Sequence, residues 1–185
     1  MNLTRQRFSQ SLTVQESLRR SALRGGALLV LIACATGVRG VRASALSRGE
    51  ATYARHDYAT AALLLQPEAQ SGHPLAQTYL GYMYQNGLGV PRDYTIAAGW
   101  LDQAAEQGEP TAQFLLGLLY DKGFGVPQDW VQAEVWLNLA ASRASGKQRD
   151  YWSRVRDAVA QKLTLNQLAE AQKRAFDWAP VCGQM

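Results

Sequence analysis

The sequence predicts an all-α protein, a right-handed α-solenoid of stacked helix pairs, and two observations carry that prediction. The segments Leu75–Pro110 and Thr111–Gly146 align at a shift of 36 residues without a gap, with 15 of the 36 positions identical. Within both segments, apolar residues recur three and four positions apart, which is the period of an amphipathic helix. A pair of short helices cannot bury both apolar faces alone, so the copies are expected to stack on one another.

The first half of each copy predicts one helix. In the first copy, Ala76, Leu80 and Tyr84 recur every four residues and form an apolar stripe. Gly81 lies beside that stripe and would let a second helix approach closely. The run Gly87–Pro91 ends the helix, because glycine adopts the positive φ that such a turn needs.

The second half of each copy predicts a second helix. Asp93 is a natural N-cap for it. Behind this cap, Ala97, Trp100 and Leu101 follow the i, i+3, i+4 spacing of an apolar helix face. Pro110 suits the first turn of the helix that follows, because its missing N–H costs little there.

We interpret the most distinctive positions that both copies share as a structural repeat signature. They are Gly81, Tyr84, Gly87, Gly89, Asp93 and Trp100 in the first copy, and Gly117, Tyr120, Gly123, Gly125, Asp129 and Trp136 in the second. The two Gly-x-Gly runs could also be phosphate-binding loops. No predicted strand precedes them and no Lys-Ser/Thr pair follows, so a structural turn is favoured.

Shorter units flank the two copies within a predicted repeat domain. In order, its parts are a truncated first repeat at 46–74, the repeats at 75–110 and 111–146, C-terminal capping helices at 147–178, and then a tail at 179–185. The first capping helix is predicted over Asp150–Leu163. Thr164 and Gln167 have the spacing of a capping box, which would open the last helix.

Residues 1–45 predict a secretory signal peptide. Seven arginines and a single acid accompany a short apolar run, Ala27–Ala35, and an A-x-A cleavage site ends at Ala45. The run has about half of the ~20 residues that a membrane-spanning helix needs, so no membrane span is expected. This interpretation predicts a periplasmic or secreted protein.

A lipoprotein leader is the alternative. The segment Leu31–Cys34 resembles the bacterial lipobox, in which the cysteine is lipidated and becomes the mature N-terminus. Lipidation at Cys34 would make the leader 1–33 and would anchor the protein in the outer membrane. The chain is exported under either interpretation.

Charge and residue content argue against several classes of function. Residues 46–185 carry a net charge of −2, so the +4 of the whole chain comes from the leader and no nucleic-acid binding is expected. With two cysteines and two histidines, no metal site and no cofactor are expected. His56 and His73 lie in predicted turns. The chain has no G-x-S-x-G, S-x-x-K, H-E-x-x-H or C-x-x-C motif, so no catalytic residue is expected.

The repeat motif resembles the Sel-one-like repeat, a relative of the tetratricopeptide repeat. Both copies match A-x-x-x-L-G-x-x-Y-x-x-G-x-G-V-x-x-D-x-x-x-A-x-x-W, and the resemblance extends over residues 47–178. In the truncated unit, His56 stands where the family usually has glycine. The resemblance implies a non-enzymatic scaffold that binds a protein or peptide, here in the bacterial cell envelope, and we expect a monomer. A hydrolase on the same fold and a lipid-anchored structural adaptor are the alternatives.

The resemblance also implies a partner-binding face. In tetratricopeptide geometry, the first helix of each pair lines the concave side, and the row that avoids the core stripe starts at Leu75 and at Thr111. The predicted partner-binding residues in that row are Thr78, Tyr82, Gln85, Phe114, Leu118 and Asp121. Tyr82, Phe114 and Leu118 would form an exposed apolar patch, which often marks a binding site. The alternative is that flanking helices bury them.

Overall fold

The computed structural model describes residues 45–178, and within them it contains eight α-helices and no strand. The predicted leader apart from Ala45, the lipidation candidate Cys34 and the tail 179–185 lie outside the described residues. The helices are α1 (45–54), α2 (Tyr58–Gln70), α3 (Pro74–Asn86), α4 (Tyr94–Glu106), α5 (Pro110–Lys122), α6 (Trp130–Arg143), α7 (Gly146–Ala160) and α8 (Leu165–Asp177).

Helices that follow one another in the chain pack against each other. From α2 to α7, each helix contacts the next, and α6 also contacts α8. The first helices of the two complete repeats, α3 and α5, touch as well. Packing between neighbours along the chain is the arrangement of an α-solenoid of helix pairs, so the predicted fold class is confirmed.

Two glycines hold the helices of each pair at close distance. A Cβ at Gly81 would lie 2.6 Å from Cγ of Leu101, and a Cβ at Gly117 would lie 2.8 Å from Cγ of Leu137. Both leucines are fully buried. A side chain at either glycine would therefore push the two helices apart, as the sequence predicted.

The two Gly-x-Gly runs are helix ends that also contact the preceding unit. Gly89 has a φ of 68° and Gly125 a φ of 72°, a region that favours glycine. A Cβ at Gly89 would collide with the backbone of Tyr58, and a Cβ at Gly125 with that of Tyr94. These tyrosines begin α2 and α4, the second helices of the preceding units. The loops therefore set the distance between stacked units.

The predicted N-caps are present in both repeats. Asp93 begins α4 and Asp129 begins α6, and each Oδ1 accepts two backbone N–H bonds of 2.8 to 3.0 Å from the first turn of its helix. The capping box at α8 is also confirmed. There the Thr164 side chain accepts from the Gln167 N–H, and the Gln167 side chain accepts from the Thr164 N–H.

The first capping helix differs from its predicted bounds. It starts at Gly146 rather than Asp150 and ends at Ala160 rather than Leu163. The sequence prediction followed apolar spacing, which marks the buried middle of this helix at Trp152. The first residues of the helix are mostly polar, so the spacing of apolar residues could not predict where the helix begins.

The core lies between the helices in two apolar clusters, one formed mainly by α2 and α3 and the other by α4 to α8. Trp136 is buried in the larger cluster, where its ring meets the edge of Trp178 at a centroid distance of 6.2 Å. Trp100 is half-buried against the smaller cluster. Both signature tryptophans therefore contribute to packing, and Trp136 contributes more.

Candidate binding grooves

A groove with a volume of about 260 Å³ opens between α1, α3 and α5. We call it the tyrosine groove, and the residues that line it are Tyr53, Leu75, Thr78, Tyr79, Tyr82, Glu109, Thr111 and Leu115. Four of these belong to the row that the sequence predicted for the concave side. The groove therefore lies where the first helices of successive units face each other.

Tyrosine rings form one wall of this groove. The ring of Tyr53 lies 4.9 Å from that of Tyr79 and 5.2 Å from that of Tyr58, measured between centroids. Burial, with a smaller contribution from the neighbouring phenols, raises the pKa of Tyr53 to about 12. Burial also raises the pKa of Tyr79, and the charge of Glu50 adds to the effect. The wall therefore stays uncharged at neutral pH and offers aromatic surface with hydroxyl groups.

The remaining polar groups of the tyrosine groove are partly used within the fold. Glu109 caps α5, since its Oε1 accepts from the Thr111 N–H at 3.3 Å. Thr78 is buried and donates its hydroxyl to the Pro74 carbonyl at 2.8 Å. Tyr82 is half-buried and lines the groove. Among the predicted residues, Tyr82 is thus the best placed for contact with a partner.

A second groove, with a volume of about 510 Å³, lies between α5 and α7. We call it the basic groove, and its lining consists of Leu118, Asp121, Lys122, Tyr151, Arg154, Val155, Ala158, Val159 and Lys162. Leu118 and Asp121 come from the predicted partner-binding row. The other residues come from the end of α5 and from the capping segment.

Asp121 is the buried centre of the basic groove. Its carboxylate pairs with Lys122 at 3.0 Å and with Lys162 through a short contact. Burial alone would raise the pKa of Asp121, but the hydrogen bonds and charges of Lys162 and Lys122 outweigh it, so the pKa lies below its usual value. Asp121 therefore stays charged and fixes both lysines.

The expectation of an exposed apolar patch is wrong for Phe114. Only 6% of Phe114 is exposed, and its ring stacks on that of Trp152 with centroids 4.8 Å apart and planes inclined by 11°. Trp152 belongs to α7, which covers this part of α5. Asp121 is likewise buried rather than open to a partner. The sequence indicated capping helices but not which face of α5 they would cover.

The other predicted residues have intermediate positions. Leu118 is half-buried in the basic groove. Gln85 is half-buried and lines neither groove, and its Oε1 finds no hydrogen-bond donor among the described residues. Partner binding by any of these residues stays a prediction.

The sequence analysis missed several groove residues. Tyr79 adjoins the predicted row on α3, and Tyr53 lies on α1, for which the sequence offered no repeat counterpart. Leu115 is adjacent to Phe114, and the structure exchanges their roles, since Leu115 lines the groove while Phe114 is stacked beneath α7. The excess of tyrosines near α3 was the signal that could have indicated this wall.

In the described part of the chain, neither histidine is hydrogen-bonded to a serine, threonine or cysteine. His56 Nδ1 lies 2.7 Å from the Tyr58 hydroxyl, and His73 Nδ1 is buried with no partner found. His56 has a φ of 64°, which explains why glycine is usual at its position. Within residues 45–178 there is no group of three or more metal-ligating side chains, and no helix long and apolar enough to cross a membrane.

Comparison with known proteins identifies the repeats. A family model described as the Sel1 repeat matches residues 74–109 and 110–145. Among solved structures, the chain is similar to a protective antigen present in uropathogenic Escherichia coli strains that displays an SLR fold, with 29% identity, a TM-score of 0.69, and coverage of 77% of this chain and 30% of that one. It is also similar to a Sel1 repeat protein from Oxalobacter formigenes, with 32% identity, a TM-score of 0.57, and coverage of 74% and 55%.

The chain thus spans less than two thirds of the length of either protein. No curated protein matches it. Sel1 repeats suggest a scaffold for protein interactions. The family match and the two structural matches agree with the motif found in the sequence. The chain therefore contains two Sel1 repeats, at residues 74–109 and 110–145.

Proposed function

We propose that the chain is an exported, non-enzymatic scaffold that binds a protein or peptide segment in the bacterial cell envelope, with the tyrosine groove as its main contact. The single observation that carries this proposal is the groove itself. Helices of three successive units, α1, α3 and α5, build it together, and tyrosines line it. Tyrosine is enriched at protein interfaces, because it combines a large apolar ring with a polar tip.

The size of the groove favours a side chain of a partner over a free metabolite. Pockets for small molecules usually have volumes of ~300–1,000 Å³ and enclose most of the ligand. The tyrosine groove has about 260 Å³ and is partly open to solvent. An open groove of this size fits one large side chain from a segment that continues past it.

The export part of the proposal depends only on the predicted leader. The arginine-rich segment, the apolar run and the A-x-A site in residues 1–45 support it. The lipid-anchored alternative differs in the fate of Cys34. Mass spectrometry of the mature N-terminus would separate the two, since cleavage after Ala45 and lipidation at Cys34 give different masses.

The hydrolase alternative is supported by no described contact. Hydrolysis by a serine, threonine or cysteine nucleophile needs that side chain within hydrogen-bond reach of a base. The one hydrogen bond of a histidine ring in the described region joins His56 to Tyr58, a phenol. We therefore favour a binding role over catalysis.

Affinity capture from an envelope extract tests the proposal. We expect the tagged protein to retain a specific partner, and Tyr82→Ala to weaken that capture by about tenfold or more, because aromatic anchors contribute much of the energy of an interface. Phe176→Ala is the matched control, since Phe176 is 89% exposed and lies on α8, outside both grooves. Equal capture by Tyr82→Ala and wild type, at unchanged melting temperature, would contradict the tyrosine groove as the contact.

A further inference from the structure

We propose that the basic groove is a second docking surface, which takes an acidic segment with apolar side chains from a partner protein. This inference goes beyond the proposed function, which places the main contact in the tyrosine groove. It depends on three properties of the basic groove. They are a surplus of positive charge, cations fixed in place by the fold, and an apolar floor.

Positive charge exceeds negative charge at the rim. Lys122, Arg154 and Lys162 line the groove with a single acid, Asp121. Arg154 donates its Nε–H to the Asp150 carbonyl of its own helix at 3.2 Å and has no carboxylate partner within residues 45–178. The C-terminal ends of α5 and α7 each contribute about half a negative charge, which leaves roughly one positive charge in surplus.

Two of the three cations are held by the fold before any partner arrives. The Asp121 side chain is 5% exposed and pairs with both Lys122 and Lys162. Lys162 also lies over the ring of Trp130, with Nζ 5.9 Å from the centroid. Side chains that are ordered in the free protein lose less entropy on binding, so Lys162, which is held by both contacts, favours association.

Apolar side chains form the floor between the cations. Leu118 and Val155 are half-buried, and Tyr151 is 52% exposed although it lies in a groove. An occupant that covers this floor would remove apolar surface from water. Apolar contact supplies affinity and the cations select for acidic residues, so the combination fits an acidic segment with leucine-like side chains.

A protein segment fits this groove better than nucleic acid or a lipid surface. Nucleic acid binding relies on many phosphate contacts, whereas the groove has three cations and residues 46–185 carry a net charge of −2. A lipid surface requires a helix that presents an exposed apolar face. Here the apolar residues lie at the bottom of a cleft between two helices.

The test uses a matched pair of probes with the purified protein. The acidic probe is acetyl-Gly-Asp-Leu-Glu-Leu-Asp-Gly-amide, and the neutral probe replaces Asp by Asn and Glu by Gln. Binding is measured by NMR titration at low and high salt. We expect the acidic probe to shift signals of Leu118, Tyr151 and Val155, and the neutral probe to bind at least about tenfold more weakly.

Two charge-reversal variants separate this groove from general attraction. Arg154→Glu should weaken binding of the acidic probe by about tenfold, since it reverses a rim charge that has no carboxylate partner within residues 45–178. Lys147→Glu makes the same change in charge on α7, at an exposed position outside both grooves. It should alter binding less than about twofold. Both variants should keep the wild-type melting temperature.

Several outcomes would overturn the inference. These are equal binding of the neutral probe, equal loss in both variants, and no shift of groove signals at millimolar probe. Binding of single-stranded DNA or of phosphatidylglycerol vesicles that depends on Arg154, in the absence of peptide binding, would assign the groove to another ligand. Capture that depends on Tyr82 would survive each of these results, so the proposed function is tested separately.

Discussion

The tyrosine groove and the basic groove adjoin the same helix, yet they offer a partner opposite chemistry. Thr111 and Leu115 line the first groove, and Leu118 and Lys122 line the second. Their spacing along α5 is i, i+4, i+7 and i+11, which places all four on one face. Neutral phenols from α1 and α3 stand opposite one end of that face, and cations from α7 and the turn after it stand opposite the other.

This difference shows that the neighbour of a repeat helix determines the chemistry of each groove. Where another repeat faces α5, the contact repeats the geometry of the solenoid and leaves an open aromatic wall. Where the capping helix α7 faces α5, Phe114 stacks on Trp152 and Asp121 pairs with Lys162, so both predicted binding residues are buried. The capping segment therefore buries two residues that were predicted to bind a partner, Phe114 and Asp121, and it adds charged side chains to the groove.

The largest effect on stability is expected when the buried aromatic contact between α5 and α7 is removed. Phe114→Ala should lower the free energy of unfolding by about 3–5 kcal/mol, because it removes a buried ring from between α5 and α7. Tyr82→Ala should cost clearly less, since Tyr82 is half-buried at an open groove. Urea denaturation measures both, and equal losses would contradict the distinction between a structural and a binding aromatic.

The stability of the protein should also depend on pH, because Glu134 on α6 is buried beside charged residues of α7. Glu134 is 2% exposed, its Oε1 accepts from the Asn138 amide, and its Oε2 has no partner among the described residues. Burial raises the pKa of Glu134 from 4.5 to about 7, although Arg156 on α7 and the Asn138 bond oppose this, while Asp157 on α7 adds to it. The folded protein therefore holds a proton more tightly than the unfolded chain does.

Stability should consequently fall as pH rises from 4.5 to about 7 and then level off. Glu134→Gln cannot ionise, so its advantage over wild type should grow across that range to about 1–3 kcal/mol. Glu170→Gln is the control, because the Glu170 side chain is 49% exposed and pairs with Arg174 at the surface. Denaturation at pH 4, 6 and 8 checks this, and a constant difference between Glu134→Gln and wild type would contradict it.

The sequence predicted the fold far better than the binding surface, for a physical reason. Repeat identity, helix periods, Gly81 and the N-cap Asp93 are local signals, and the structure confirms each of them. The burial of Phe114 depends on where α7 packs against α5, and no local sequence pattern predicts that position. Tyr53 was missed for a related reason, since its role depends on contact with α3 across the stack.

Removal of one charge from the basic groove should have a smaller effect. Lys162→Met leaves Asp121 paired with Lys122 alone, and we expect a loss of about 1 kcal/mol at pH 7, since Lys162 is partly exposed and the pair is screened. The lowered pKa of Asp121 contributes stability that is present above 3.8 and is lost as pH falls through the lower value. The difference between wild type and Lys162→Met should therefore shrink in acid. A difference that persists at pH 2 would place its cause in packing on Trp130 instead.

The smallest predicted effect tests whether the two repeats are equally stabilised by their N-caps, although the grooves beside them differ. Asp93 and Asp129 occupy corresponding positions, both with φ of −147°, and each accepts two N–H bonds from the helix it caps. Asp93→Ala and Asp129→Ala should each cost about 1 kcal/mol through the lost cap. If the grooves differ only in what faces α5, the two losses should agree within about 0.5 kcal/mol, because the local interactions are the same. Thermal denaturation of the two variants side by side measures this. A much larger loss for Asp129→Ala would mean that the capping helices alter the repeat itself, and not only the surface opposite it.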